Sequence, residues 1–152
     1  MDFMNPSLYL LISLSVVTGS CQADDEASIN KHAAGTILSA PPTIESDPFK
    51  LASVSAEGTV VTAVVRYAGG CREHRFSVYW DGVATKSLPP QMVVNVYHDD
   101  QGDTCEAYPT DTVRFDAEEL LDDLWNLNEE AVLIIRNTSD GETISIRVRK
   151  EQ

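Results

Sequence analysis

The sequence predicts a mainly β domain, specifically an antiparallel β-sandwich of the immunoglobulin-like kind with one short helix. Three observations predict it. Six or seven short stretches alternate apolar and polar residues, turn-forming clusters separate them at hairpin spacing, and helical periodicity occurs in one stretch alone. The alternative is an α+β fold in which the helix covers one face of a sheet, because the helix carries large apolar residues that need cover.

The first two predicted strands lie on either side of a glycine-containing loop. Residues 59–67 place Val61 and Val65 on one face, and residues 75–80 alternate most clearly, with Phe76 inward. The loop at 68–73 reverses the chain between them. The sequence therefore predicts that these two strands form a hairpin.

The middle of the chain predicts a loop, a strand and two strand fragments. Residues 81–90 contain the turn pair Asp81-Gly82 and two prolines that a central strand excludes, so they form a connecting loop. Residues 91–98 are rich in β-branched side chains and predict the third strand. The acidic cluster at 99–103 predicts a turn, and the short fragments on either side of Pro109 are residues 105–108 and 112–115.

Helical spacing follows Asp116, a typical N-cap residue with Glu119 as its capping-box partner. Four large apolar residues then recur on one face: Leu120, Leu121, Leu124 and Trp125. This face is predicted to enter the core. Residues 131–136 and 143–149 alternate on either side of the turn at 138–141 and predict a closing hairpin.

The N-terminus carries an uncharged apolar run at residues 8–17 that leads through Thr18, Gly19 and Ser20 to Cys21. A helix needs about 20 apolar residues to span a bilayer, so this run has the length of a signal-peptide core. Small residues directly before a cysteine resemble the lipobox of bacterial lipoproteins. The resemblance implies that Cys21 is acylated, as by palmitate, and becomes the mature N-terminus. The expected location is the cell envelope, as an outer-membrane lipoprotein facing the periplasm or the exterior.

The predicted organisation is a signal peptide at 1–20, a lipid-anchored flexible tether at 21–48 and a β-rich globular domain at 49–152. The tether prediction comes from low hydrophobicity, several prolines and the lack of aromatic residues between Gln22 and Pro48. The alternative is an ordinary secretory signal cleaved near Ala23, which would release a soluble secreted protein.

The net charge of the chain excludes some classes of binding partner. The chain has 24 acidic residues against 11 Lys and Arg, a formal net charge of −13. Such a surface repels phosphate backbones and anionic headgroups, so no nucleic-acid partner is expected. The expected partners are the membrane, through the lipid anchor, and an unknown envelope or extracellular protein.

Cysteine usage predicts a disulfide. If Cys21 carries lipid, Cys71 and Cys105 remain as an even pair in an exported domain, which favours a bond between them. Closing that loop stabilises the fold by about 3–4 kcal/mol in the chain-entropy model.

Two histidines lie close to the two cysteines in sequence: His74 follows Cys71, and His98 precedes Cys105. A zinc site that uses both cysteines and both histidines is one alternative. The other is a transition-metal site beside the disulfide, with four ligands: His74, His98, Asp103 and Glu106. The favoured interpretation has no cofactor, and treats the cysteines and histidines as structural.

Catalytic motifs such as Gly-x-Ser-x-Gly or His-Glu-x-x-His do not occur in the chain. The acidic residues at 99–103 lack the EF-hand order of calcium ligands and suit an ordinary turn. Asn137-Thr138-Ser139 fits a glycosylation sequon but equally suits a hairpin turn. The chain is therefore predicted to be a non-enzymatic binding module of the envelope, with metal binding through His74 and His98 as the alternative.

Overall fold

The computed structural model describes residues 32–125 and 129–150. The predicted signal peptide and Cys21 lie outside the described residues. Along the described residues the elements are β1 (His32–Ala34), β2 (Thr36–Leu38), β3 (Phe49–Glu57), β4 (Val60–Tyr67), β5 (Arg75–Ala84), β6 (Gln91–Asp99), β7 (Thr110–Asp116), α1 (Ala117–Trp125), β8 (Glu130–Asn137) and β9 (Thr143–Arg149).

The strands form two sheets. The four-stranded sheet has the order β1-β7-β4-β3, and the five-stranded sheet has the order β2-β5-β6-β8-β9. The prediction of a mainly β domain with one short helix is confirmed, and the immunoglobulin-like arrangement stays a prediction. Three pairings are parallel rather than antiparallel, namely β1 with β7, β2 with β5 and β6 with β8. The sheets are therefore mixed, and the prediction of an entirely antiparallel arrangement is wrong at these three pairs.

The inward faces of both sheets supply one core. In β4, buried and half-buried residues alternate from Val60 to Val65, which is the period of 2 that a one-sided strand requires. Val94 in β6 and Leu133 in β8 are fully buried from the other sheet. Burying each such side chain contributes roughly 1.5–3 kcal/mol.

Helix α1 begins where β7 ends. Oδ1 of Asp116 accepts a hydrogen bond from the backbone N–H of Glu118 at 2.8 Å, which satisfies one of the free N–H groups of the first turn. Leu121 is fully buried in the core, and Leu120 packs against it partly buried. The predicted apolar face is thus confirmed for these two residues, while the side chains of Leu124 and Trp125 lie outside the described part.

The predicted hairpin between residues 59–67 and 75–80 is wrong, because β4 and β5 belong to different sheets. The end of β4 continues beside the segment before β7: the backbone N–H of Tyr67 donates to the carbonyl of Pro109, and that of Gly69 to the carbonyl of Ala107. The intervening loop therefore crosses from one sheet to the other. Residues 105–108, predicted as a strand fragment, accept one of these hydrogen bonds but form no strand.

Three strands were not predicted. β1 and β2 lie within the segment assigned to the tether. β1 pairs over three residues with β7, and β2 over three residues with β5, and such strands are too short for a periodic pattern to be visible. β3 loses its alternation because its register with β4 shifts between Leu51 and Ser53. The closing hairpin of β8 and β9, by contrast, forms as predicted.

None of the helices in the described ranges, 32–125 and 129–150, is both long enough and apolar enough to cross a membrane.

Candidate functional site

Three polar side chains meet at one end of the domain, and we call them the His–Asp chain: His98, His74 and Asp103. His74 directly precedes β5, and His98 lies near the end of β6 opposite Phe76, so the antiparallel register brings the two histidines to the same end of the sheet. Asp103 follows in the turn after β6. All three side chains are almost fully shielded from solvent.

The members of the His–Asp chain are connected by hydrogen bonds. Nδ1 of His74 lies 2.7 Å from Nε2 of His98, and Nε2 of His74 lies 3.2 Å from Oδ2 of Asp103. An ionised carboxylate can only accept, so Nε2 of His74 carries the hydrogen toward Asp103. When both imidazoles are neutral, Nδ1 of His74 is then the acceptor and Nε2 of His98 is the donor.

Asp103 is held by backbone amides. Its Oδ2 accepts from three successive N–H groups, those of Gly70, Cys71 and Arg72, at 2.8–2.9 Å. Its Oδ1 accepts from the N–H of Cys105 at 2.9 Å. Three successive N–H groups pointing at one atom form an anion-binding nest. These amides, that of Cys105 first, hold the pKa of the Asp103 carboxyl far below its usual range, so the side chain is ionised.

Aromatic rings surround the histidines. His98 stacks on Phe76 with ring centroids 4.6 Å apart, and His74 stacks on Tyr67 at 4.2 Å. Burial lowers the pKa of His98, and the neighbouring His74 lowers it further, because both disfavour the charged imidazolium. Nδ1 of His98 is buried and makes no hydrogen bond within the described residues. The apolar walls thus favour a neutral His98.

The disulfide between Cys71 and Cys105 covers this end of the domain, and its prediction is confirmed. Both cysteines donate their backbone N–H groups to Asp103, so the bond joins the two loops that the carboxylate also joins. Gly69 packs directly against the His–Asp chain, because a Cβ at this position would lie 2.5 Å from Nε2 of His74. Gly69 also has a φ of +135°, which favours glycine.

The structure brings three of the four predicted metal ligands together and leaves one out. His74, His98 and Asp103 form the chain described above, whereas Glu106 is exposed and takes no part in its hydrogen bonds. A metal ion cannot lie between the two imidazoles in this state, because their facing nitrogens are already in hydrogen-bond contact. The predicted site of His74, His98, Asp103 and Glu106 therefore needs a rearrangement that nothing in the described geometry favours.

The acidic turn after β6 is joined by a residue that the sequence did not suggest. Oxygens of Asp47, Asp99 and Asp100 lie within 4.8 Å of one another. Backbone amides account for part of this grouping: Oδ2 of Asp47 accepts from the N–H of Asp100, and Oδ1 of Asp100 from the N–H of Gly102. Such local hydrogen bonds are those of a turn, which agrees with the turn predicted at 99–103.

The opposite end of β5 and β6 presents an apolar hairpin. We define the 81–90 loop as residues 81–90, and within it Val83 is 66% exposed and Leu88 is 89% exposed. Hydrogen bonds fix its conformation: the indole of Trp80 donates to the carbonyl of Val83, and the N–H of Gln91 donates to Oγ1 of Thr85. Residues 81–90 were predicted to be a connecting loop, which is wrong for residues 81–84, because β5 continues past an irregularity to Ala84, which pairs with Met92. The exposed apolar side chains were not recognised as a candidate surface.

The glycosylation sequon is buried. Asn137 is fully buried, its Nδ2 donates to the carbonyl of Phe49 at 2.8 Å, and its Oδ1 accepts from Ser139. The side chain therefore closes the β8–β9 turn and ties it to β3, as the turn interpretation predicts.

Sequence reasoning did not recognise that Asp103 would be the centre of this end of the fold. The adjacent glycines Gly69 and Gly70, both at positive φ, were a signal, because such residues allow successive N–H groups to point at one acceptor. The contact of Tyr67 with His74 depends on the crossing of the loop between the sheets, and no sequence pattern indicates that crossing.

No family model and no curated protein matches the chain. Among solved structures, it is similar to a NigD-like immunity protein from Bacteroides caccae, with 15% identity, a TM-score of 0.52, and coverage of 76% of this chain and 58% of that one. It is also similar to a protein from Parabacteroides distasonis described as toxin-related, with 15% identity, a TM-score of 0.60, and coverage of 79% and 62%. A Bacteroides fragilis protein described as a lipoprotein overlaps at a TM-score of 0.43 with 6% identity over 80% of this chain and 72% of that one, too low to establish a shared fold.

The chain spans about three fifths of the length of the first two solved structures. At 15% identity the likeness shows a shared fold alone.

Proposed function

We propose that the chain is an envelope lipoprotein, anchored through Cys21, whose β domain binds another protein without catalysing a reaction. The observation that carries the proposal is the 81–90 loop, where Leu88 is 89% exposed and Val83 66% exposed on a hairpin fixed by hydrogen bonds. A partner that covers these apolar side chains removes them from water, and little ordering entropy is lost because hydrogen bonds already fix the hairpin.

The burial of the His–Asp chain supports a non-catalytic role. The side chains of His74 and Asp103 are each 1% exposed, and the whole residue His98 is also 1% exposed. A general base must come within hydrogen-bond distance of its substrate, and a substrate has no access to these groups in this conformation. Their hydrogen bonds instead join the two loops at this end of the domain.

The names of two similar solved structures agree with the proposed binding activity, while the likeness itself shows the fold. One protein with this fold is described as a NigD-like immunity protein and another as toxin-related. Immunity proteins act by binding their target, and some of their complexes are among the tightest known. We propose a protein partner of the envelope or the exterior on this basis, with Leu88 as its central contact.

Site-specific photocrosslinking in cells tests the binding surface. A photoreactive side chain at position 88 of the full chain is expected to give one discrete adduct, and Val83→Asp in the same chain is expected to abolish it. The matched control places the same photoreactive group at position 145 on β9, where Ser145 is also exposed. No adduct at position 88, or a heterogeneous set equal to that at position 145, would contradict the proposal.

The anchor has a separate test. Mass spectrometry of the mature N-terminus is expected to show an acylated cysteine at position 21, and Cys21→Ser is expected to move the protein from the detergent phase to the aqueous phase. An unmodified N-terminus beginning near residue 24 would instead establish ordinary secretion, and would leave the binding proposal to the crosslinking result.

A further inference from the structure

Three side chains with metal-binding atoms lie together at the disulfide, and His74 contacts one of them. Ligand atoms of Cys71, Asp103 and Cys105 all lie within 4.8 Å of one another. Nε2 of His74 is 3.2 Å from Oδ2 of Asp103. The set comprises two sulfurs, one imidazole nitrogen and one carboxylate, all ligand types that zinc accepts.

We propose that reduction of the Cys71–Cys105 bond converts this cluster into a binding site for Zn²⁺ or a similar thiophilic divalent cation, with Cys71, Cys105, His74 and Asp103 as ligands. In the oxidised protein the sulfurs are bonded to each other and offer no thiolate, so the site is closed. The disulfide thus acts as its redox gate. The proposal is independent of the binding loop at the opposite end of β5 and β6.

The separation between His74 and Asp103 suits two ligands of a tetrahedral ion. Bonds of about 2.0–2.1 Å to nitrogen and oxygen imply an N···O separation of about 3.3 Å, and the observed distance between His74 and Asp103 is 3.2 Å. The ion would replace the hydrogen that now bridges these two atoms. Bonds of about 2.3 Å to sulfur require the two Sγ atoms to stand about 3.8 Å apart once the bond is cut. Side-chain rotation can supply that separation with the Cα atoms at their present 6.0 Å.

The surroundings orient the ligands in advance. The other ring nitrogen of His74 contacts Nε2 of His98 at 2.7 Å, which is the partner that a metal-bound imidazole needs for its remaining N–H. Asp103 is fixed by four backbone amides, three on Oδ2 and one on Oδ1. The backbone of these loops therefore fixes one ligand before any ion arrives.

A dithiol is the reductant that opens the Cys71–Cys105 bond. The dithiol gives two electrons and two protons to the disulfide, which opens to two thiols, and the dithiol closes to its own disulfide. A Zn²⁺ ion then forms two Zn–S bonds and displaces both thiol protons to solvent. The hydrogen of His74 moves from Nε2 to Nδ1, and that of His98 from Nε2 to Nδ1. Cys71 is exposed, so a dithiol has access to the bond.

Metal titration of the oxidised and reduced chain is the test. Reduced protein, freed of dithiol under inert gas, is expected to bind one Co²⁺ per chain with the near-ultraviolet band of cobalt–thiolate bonds, and Zn²⁺ should displace it. Oxidised protein should bind neither. Far-ultraviolet circular dichroism checks that the reduced protein keeps its β fold with metal. Equal binding by the oxidised protein, no binding by the reduced protein, or binding only to an unfolded chain would overturn the proposal.

Two variants separate this site from loose thiol binding. His74→Ala is expected to weaken affinity at least tenfold and to change the cobalt spectrum, and His98→Gln to weaken it about 10–100-fold as the orienting partner. Glu106→Ala, beside Cys105 but outside the hydrogen-bonded cluster, is the matched control and should bind as the original chain does. If either histidine variant unfolds, the test is whether Zn²⁺ protects the two thiols of the unsubstituted, reduced protein from an alkylating reagent. The absence of protection would contradict the site.

Discussion

Oδ2 of Asp103 lies 3.2 Å from Nε2 of His74, and the same oxygen accepts hydrogen bonds from three successive backbone amides of the loop before His74. One carboxylate thereby holds the loop that crosses between the two sheets against the turn after β6. The disulfide repeats the same connection covalently. The non-covalent and covalent links between these loops are therefore separable by mutation.

Asp103→Asn should lower the midpoint of thermal unfolding. The change removes the negative charge that the nest of amides and His74 favour, and hydrogen bonds to a charged acceptor are stronger than those to a neutral one. Asp100→Asn is the matched control in the same turn, because Oδ1 of Asp100 accepts from Gly102 alone. Thermal unfolding monitored by circular dichroism measures both midpoints. Equal midpoints for the two variants would contradict the role assigned to Asp103.

Reduction of the disulfide should cost about 3–4 kcal/mol of unfolding free energy, the chain-entropy value for a closed loop of 34 residues. Urea unfolding with and without a dithiol, in the presence of a chelator, measures the change. The variant with both Cys71→Ser and Cys105→Ser controls for effects of the dithiol itself and should not respond to it. A reduced protein as stable as the oxidised one would contradict this prediction and show that the hydrogen bonds between the loops hold them without the disulfide.

Sequence pattern predicted those parts of the fold that depend on local periodicity. The alternation at 75–80 and 91–98, the helix after Asp116 and the closing hairpin are all present. What it missed depends on which sheet each strand joins. Tyr67 at the end of β4 pairs with Pro109, and Gly69 pairs with Ala107, whereas neither pairs with β5. No local pattern encodes partners 42 and 38 residues away.

The candidate site shows the same division. The disulfide could be predicted from the number of cysteines. Once Cys21 is assigned to lipid, Cys71 and Cys105 are the two that remain, and two cysteines in an exported domain favour a disulfide. The contact between His74 and His98 was expected only as proximity at one edge, since hydrogen bonds depend on side-chain direction. Glu106 lies three residues after Asp103 but is exposed, which shows that nearness in sequence does not ensure a shared site.

Asn137→Ala should destabilise the domain by about 2–3 kcal/mol. The substitution leaves the buried carbonyl of Phe49 without its donor and removes the acceptor of Ser139, and each buried group left unpaired costs about 1–3 kcal/mol. Asn95→Ala, on a half-buried position of β6, is the control and should change stability by no more than about 0.5 kcal/mol. Urea unfolding measures both, and similar values would count against a tying role for Asn137.

Leu121→Ala should cost about 2–5 kcal/mol, because Leu121 is fully buried where α1 meets the core and its removal leaves a cavity. Glu119→Ala, exposed on the same helix, controls for helix propensity and is expected to stay within about 0.5 kcal/mol of the original chain. The measurement is again urea unfolding. A small loss at Leu121 would mean that α1 is only loosely attached to the sheets.

Asp140 should titrate below its ordinary pKa of 3.8. Nζ of Lys50 donates to Oδ2 of Asp140 at 2.6 Å, linking β3 to the β8–β9 turn, and this hydrogen bond together with the N–H of Glu142 lowers the pKa of the carboxyl. Because the folded pKa is below the unfolded one, the ionised form stabilises the fold. That contribution is complete above the unfolded pKa and is lost as the pH falls through the folded pKa.

Lys50→Gln should therefore raise the pKa of Asp140 part of the way toward 3.8, since the amide of Glu142 still donates. High salt should do the same in the original chain, because more than half of the Lys50 side chain is exposed and its charge is screened. Carboxyl carbon shifts followed by NMR through acidic pH provide the measurement. Lys86→Gln, on the 81–90 loop, should leave the titration unchanged. An Asp140 that titrates at the same pH with and without Lys50 would show that the ion pair does not persist in solution.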